Sequence, residues 1–381
     1  MIKKTVSGFF AEIKTTPEIL QGPHFPSLDG IRGIALLMVL LFHLRLSYNY
    51  FYTLIFNGKL GVIIFFVLSG LLITTLCIKE KVATGNISLR DFYIRRALRI
   101  FPVAYLYIIV IVILNFVFKL KISYINILGT CLYLMNFTSF FRKYYSSWFT
   151  GHFWSLSVEE QFYLGIPFIL KRKFKAYLMV ILSIIFVLPL FICLQYLIPA
   201  LNTGFLYAFT HYLVKFQGIA VGCLFSVLMF KYPMHKSFSG KFKGMLNIVA
   251  FILILTIPYD DFFSLESTFT GLLICFLIGY IITSNMAPCT DLVFKFLNFK
   301  PLKLIGILSY SIYIWQQMFT SIDDRLPFFM TRAPYNIICI IIVSCCSYYF
   351  YERSFLKLKA RFSRVKPNKN EPAEPALGPA L

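Results

Sequence analysis

Leu28-Asp29-Gly30-Ile31-Arg32-Gly33-Ile34-Ala35 opens a stretch that runs on through apolar residues to Phe42-His43-Leu44-Arg45-Leu46-Ser47. It has about the 20 residues a helix needs to cross a bilayer, and its polarity is confined to a few ionisable groups. Runs of the same kind recur at roughly 59–79, 100–118, 122–141, 152–170, 176–198, 206–230, 244–258, 265–285, 302–320 and 334–352. The composition agrees: 59% of the 381 residues are apolar and only 14% are charged, where a soluble domain carries about a quarter. The pattern predicts an all-α, polytopic integral membrane protein and excludes a secreted, fibrous or disordered chain.

The formal charge of +21 would suggest nucleic acid in a soluble protein. Here the basic residues gather between apolar runs. The surplus therefore reports cytoplasmic loops and anionic lipid headgroups, and no nucleic-acid partner is expected. The nine cysteines and five histidines are scattered, without the clustered spacing a zinc site or a disulfide framework requires, so no metal site is expected. Residues 1–26 contain Lys3, Lys4, Glu12, Lys14 and Glu18 but no apolar core, which predicts a cytoplasmic segment rather than a cleavable signal peptide.

Charge also edits the span count. With the N-terminus inside, the second run delivers Lys79, Lys81, Arg90, Arg95, Arg96 and Arg99 to the cytoplasm, as the positive-inside rule requires. If 122–141 also crossed, Lys171, Arg172, Lys173 and Lys175 would fall outside. That run contains Ser123, Asn126, Thr130, Asn136, Thr138 and Ser139, so about 119–151 reads as an external, partly embedded segment. About ten spans with both termini inside remain, forming a membrane domain over 27–354, followed by a basic and then disordered cytoplasmic tail over 355–381. Asp260, Asp261, Glu266, Asp323 and Asp324 then lie on the outer face.

Ionisable groups inside spans are costly and invite a functional reading. Arg32 and His43 are eleven residues apart, about 16 Å along a helix, on nearly the same face. Two readings fit: arginines that snorkel to the headgroups beside an idle histidine, or a working pair. His43 has the chemistry of a general base, since a neutral imidazole takes up a proton near neutral pH. Arg32, permanently charged and planar, suits an anionic or carbonyl group. In His152-Phe153-Trp154-Ser155-Leu156-Ser157-Val158-Glu159-Glu160-Gln161-Phe162-Tyr163, two carboxylates sit inside an aromatic run, and the topology puts Glu159 and His43 in the outer half. Such a carboxylate would orient a histidine or a sugar hydroxyl, or would merely pair with an arginine. Arg95 and Arg99 stand one helical turn apart, a spacing that suits phosphates and equally suits lipid headgroups. Ser69, Tyr310 and Tyr313 are weak signals by themselves.

Taken together, these residues resemble the acyltransferase 3 family of integral membrane O-acyltransferases, whose hallmark is an arginine, ten residues, then a histidine in the first span. Arg32 and His43 match it. So do Phe65-Phe66-Val67-Leu68-Ser69-Gly70, Arg95-Arg96 through Arg99-Ile100-Phe101-Pro102, Trp154-Ser155-Leu156 through Glu159-Glu160-Gln161-Phe162-Tyr163, Gly306 with Ser309-Tyr310 and Tyr313-Ile314-Trp315, and Tyr351-Glu352-Arg353. Three positions depart from the family pattern: Lys215 and Gln217 stand ahead of Gly218 where an Arg and an Asp are common, and Gln316 stands where many members carry a histidine.

The resemblance implies transfer of an acyl group, commonly acetyl, from acetyl-CoA to a carbohydrate hydroxyl. Acyl-CoA is then a donor substrate, with no permanently bound cofactor. Arg95, Arg96 and Arg99 would hold the donor phosphates, Arg32 would guide the thioester, His43 would deprotonate the acceptor hydroxyl, and Glu159 would hold either His43 or the sugar. Asp29, Ser69, Glu160, Tyr313 and Gln316 would line the substrate path. A covalent acyl intermediate on His43 or Ser69 and direct transfer both remain open. The expected acceptor is a surface polysaccharide such as O-antigen or exopolysaccharide, or a lipid-linked glycan, at the bacterial inner membrane. The missing appended hydrolase-like domain points away from a two-domain peptidoglycan transferase. The rival reading is a carrier or flippase for a lipid-linked sugar that makes no bond. The sequence specifies no oligomeric state.

Overall fold

The computed structural model describes residues 8–22, 24–47, 49–137, 147–201, 204–232, 241–257 and 265–364. The stretch 138–146 of the expected external segment, Asp260, Asp261 and the tail 366–381 lie outside these residues. Among the described residues all regular structure is helical, as the apolar patterning predicts. The principal helices are α1 (Leu28–Leu44), α2 (Gly58–Thr84), α3 (Leu89–Phe118), α4 (Phe153–Arg172), α5 (Phe174–Leu197), α6 (Gly204–Val214) and α7 (Gln217–Lys231). They continue with α8 (Lys241–Thr256), α9 (Leu265–Ser284), α10 (Lys300–Ile307), α11 (Ser309–Phe319), α12 (Tyr335–Cys346) and α13 (Arg353–Ala360).

Local chemistry sets the ends of these helices. Asn57 caps α2 by accepting from the Leu60 amide, and Gly85, at φ 75°, ends it in the left-handed region. Ser88 caps α3 through the Asp91 amide.

Among the described residues, four helices are long and apolar enough to cross a bilayer: α2 with the short helix before it, α3, α5, and the continuous run from α12 to α13. The pair α6 and α7, bent by 45°, makes a fifth. The chain is therefore an integral membrane protein. The sequence reading of ten spans also counts shorter or more polar elements. α1 has 17 residues and carries Asp29 and Arg32, α4 carries Glu159 and Glu160, and the run 302–320 breaks at Leu308 between α10 and α11. Within the expected external segment, Tyr124–Cys131 is an eight-residue helix of about 12 Å, too short to span.

α2 is the hub, packed against α1, α4, α7 and α9, and its own face residues Phe66, Val67, Leu68 and Leu71 are almost fully covered. By contrast α3 presents Ile109, Ile113 and Phe116 outward, which is what a lipid-facing flank requires. The approach of α2 to α7 depends on glycine: a Cβ on Gly70 would overlap the Ile219 carbonyl oxygen, and one on Gly222 would overlap that of Val67. At the basic end of the bundle the N-terminal segment is tied down by lysines. Lys79 donates to the Gln21 and Gly22 carbonyls, Lys231 to those of Gly8 and Ala11, and Lys81 pairs with Glu12 at 2.9 Å.

Candidate active site

At the basic end, α1, α2, α3, α4, α11 and α13 enclose a narrow cavity of about 160 Å³. Arg32, Arg95, Arg96 and Arg99 line it together with Lys359, against one carboxylate, Glu159. Ser69, Ser155, Tyr310 and Tyr313 add hydroxyls, and Phe65, Phe66, Leu68 and Leu72 add apolar wall. Residues more than 300 positions apart thus meet in one space.

Each arginine is fixed differently. Arg32 pairs with Asp29 at 2.9 Å, one turn earlier on α1, and Asp29 also lies 3.4 Å from His24. Asp29, expected on the substrate path, does not line the cavity; it is held against Arg32 instead. Gly306 makes room for this: a Cβ there would overlap the Asp29 carbonyl oxygen. Arg95 donates one arm of its fork to Glu80 and the other to the Phe362 carbonyl. Arg96 lies over the Tyr163 ring at 3.9 Å, within electrostatic reach of Glu159 and Glu160. Arg99 has Arg32, Arg96, Glu352 and Asp29 within electrostatic reach, and Glu352 accepts a hydrogen bond from Ser311. Neighbouring carboxylates thus offset much of the repulsion among the arginines.

Glu159 accepts from the Ser69 hydroxyl at 2.8 Å. The expectation that it stands beside His43 does not match this geometry. Glu159 shares its cavity with Arg32, whereas His43 lies about 16 Å further along α1 and lines neither this cavity nor the outer pocket described below. The residue at the depth of His43 is His152, seven positions before Glu159 on an oppositely directed chain segment and within electrostatic reach of His43. Sequence reasoning passed over His152 as one of five dispersed histidines. Its place immediately before Phe153-Trp154-Ser155 was the available signal.

Between the two levels lies a polar and aromatic link. The Tyr313 hydroxyl donates to the His152 carbonyl at 2.9 Å and shares a 2.6 Å hydrogen bond with Ser155. The His152 ring is caged by Tyr107, Phe153 and Tyr313, and its nitrogens are buried with the Ile314 backbone within reach. His43 Nδ1, both amide atoms of Gln316 and Trp315 Nε1 are buried as well. Glu160 is also buried, with Oε1 unpartnered, but it does not line the cavity.

Beyond His43 the chain opens into a wider pocket of about 530 Å³ lined by Arg45, Lys121, Ser123, Asn126, Trp148, Thr320, Ser321, Asp323 and Arg325, among others. Trp148 joins the two regions: its ring meets that of His43 edge-on at 5.6 Å, Arg45 lies over it at 5.0 Å, and its Nε1 donates to the Gln317 carbonyl. Arg325 chelates Asp323 and holds that carboxyl below the usual carboxylate range. Lys215 lies 3.4 Å from the Asn136 carbonyl and over the Trp154 ring, beside a network in which Gln161 bonds Asn136 and Tyr212. No group of three or more potential metal ligands occurs among the described residues.

Comparison with known proteins adds three findings. A family model described as an acyltransferase domain matches residues 25–352. The chain is 30% identical over 315 residues to a peptidoglycan O-acetyltransferase, OatA, of Listeria monocytogenes, covering 77% of this chain and 49% of that protein. It is 26% identical over 356 residues to a putative peptidoglycan O-acetyltransferase, YrhL, of Bacillus subtilis (87% and 54%), and 28% identical over 324 residues to the O-acetyltransferase OatA of Staphylococcus aureus (80% and 52%). The chain spans about half the length of these curated relatives. No solved structure matches it.

Proposed function

The chain belongs to the acyltransferase 3 family of integral membrane proteins, and from that premise we propose that it is an O-acyltransferase that carries an acyl group, in the first place acetyl, from cytosolic acyl-CoA to a hydroxyl of a cell-surface carbohydrate. The observation that carries the proposal is the convergence of four arginines on one narrow cavity at the basic end of the bundle, with Ser155 and Tyr313 of its lining in contact with the His152 that neighbours His43. A polyphosphorylated donor needs such a cradle, and Arg96 and Arg99 with Arg95 in the wall supply it. Arg32, fixed by Asp29, faces the thioester end.

In the reaction His43 takes the proton from the acceptor hydroxyl, the oxygen attacks the thioester carbonyl, the carbon–sulfur bond breaks, and the proton passes to the departing thiolate. Glu159 and Ser69 position groups within the cavity rather than support His43. The wider pocket beyond Trp148, rich in hydroxyl and amide groups, receives the acceptor. Peptidoglycan, which relatives' names carry, stands beside O-antigen and exopolysaccharide as acceptor, at the bacterial inner membrane.

Mass spectrometry of surface glycans from cells expressing the wild type, His43→Ala and Arg32→Ala tests this reading. An acetyl mass added only by the wild type is the expected result. Equal acetylation by His43→Ala removes the base assignment. No acyl gain in any sample, together with altered glycan abundance, puts a carrier in place of a transferase.

A further inference from the structure

The cavity holds a fifth cation that neither the sequence nor the family match would include. Lys359 sits on α13, seven residues past the end of the matched region, in what reads from sequence as a basic cytoplasmic tail. Yet only 8% of it is exposed, and it lines the cavity with Arg32, Arg95, Arg96 and Arg99, all four within its electrostatic reach. An ordinary tail lysine would point to water, because burying an ammonium beside four guanidinium groups is unfavourable.

Something must hold it there. The turn that follows α13 is clamped to the first turns of α3 at two points: the Arg95 fork donates to the Phe362 carbonyl, and Arg364 pairs with Asp91. The same Arg95 is anchored on its other side by Glu80 at 2.9 Å. Arg95 therefore spends its hydrogen bonds largely on the wall, while Lys359 is the group delivered by the clamp. Five cations line the cavity, with Asp29, Glu80 and Glu352 set behind them, so the face turned to the cavity is mainly positive and suits a ligand with several negative charges.

We infer that α13 forms part of the donor site and that Lys359 is a phosphate-binding residue in it, placed by the Arg95 and Arg364 clamp. This rests on the acyl-CoA reading of the cavity. The ammonium of Lys359 contacts the phosphate groups of CoA, so removing it weakens the nucleotide end of the donor and leaves the thioester chemistry alone.

The test uses the full chain in detergent micelles, with CoA binding measured by titration calorimetry and transfer assayed with acetyl-CoA and with acetyl-pantetheine, which has no phosphate. Lys359→Gln is expected to weaken CoA binding about 10- to 100-fold and to raise KM for acetyl-CoA alike, with kcat and the acetyl-pantetheine reaction unchanged. Lys359→Arg restores most of the affinity, and Arg364→Gln, outside the cavity, weakens it only about 2- to 3-fold by loosening the clamp. The unliganded melting temperature serves as the folding control, and Arg364→Gln carries the test if Lys359→Gln does not fold. Undiminished CoA binding by Lys359→Gln overturns the inference while the donor reading stands. A wild type that does not bind CoA overturns both. If phosphatidylglycerol raises the melting temperature of the wild type as CoA does and displaces it, and Lys359→Gln abolishes that response, the residue serves a lipid headgroup and the inference falls.

Discussion

The two ends of the bundle hold opposite kinds of space. The inner cavity is narrow and its cations are buried and braced by carboxylates on neighbouring turns, whereas the outer pocket is about three times larger and keeps Arg45, Lys121 and Arg325 exposed beside serine, threonine and asparagine. Charge in a buried, low-dielectric site acts strongly and selects a polyanion, while exposed charge in a wet pocket is screened and leaves recognition to hydrogen bonds. On the proposed function, donor and acceptor would be recognised by separate physics, with Tyr313, His152 and His43 between the two spaces.

If that division is right, the ends separate under mutation. The largest effect falls at the junction and the inner site: His43→Ala lowers transfer by about 10²- to 10⁴-fold with CoA affinity unchanged. Arg99→Gln does the reverse, weakening CoA binding about 10- to 100-fold. Stopped transfer and calorimetry on the same preparations check the pair, and a loss of CoA affinity in His43→Ala breaks the comparison.

Trp148→Ala comes next. It removes the floor shared by His43 and Arg45, so KM for the acceptor rises about tenfold and CoA affinity stays constant. Kinetics with varied acceptor read this directly.

The smallest effect belongs to Asp323→Asn. A carboxyl held below its ordinary range by Arg325 contributes above that range and loses its contribution only as pH falls through the lowered value. Between about pH 5 and 8 the variant should therefore keep the wild-type pH profile, with activity changed less than about threefold, since an exposed pair contributes little. A profile that shifts near neutral pH would move a titrating role to the outer pocket.

Much of this was legible in one dimension. Helical class follows from apolar runs long enough to satisfy every backbone group within the segment, since lipid offers no other partner. The basic clusters mark one end of the bundle because topology is set by local charge. Arg32 and Glu159 stood out because ionisable groups in apolar runs are costly, the Arg95–Arg99 turn through its spacing, and Ser69 and Tyr313 through the family resemblance; the fold brings all of them to one cavity. Asp29 came with the same resemblance, and its partner is Arg32.

What only the tertiary structure decided is depth and partnership. Arg32 and His43 share a helix face, but Glu159 lies at the level of the first and His152 at the level of the second, a registration set by how α4 packs against its neighbours. Glu80 as the partner of Arg95 and Lys359 as a lining residue depend on contacts across 15 and more than 200 positions. Periodicity and charge are properties of neighbours along the chain. Which buried charge meets which is fixed only when the helices close around one space, because the cost of leaving either unpaired there is what selects the arrangement.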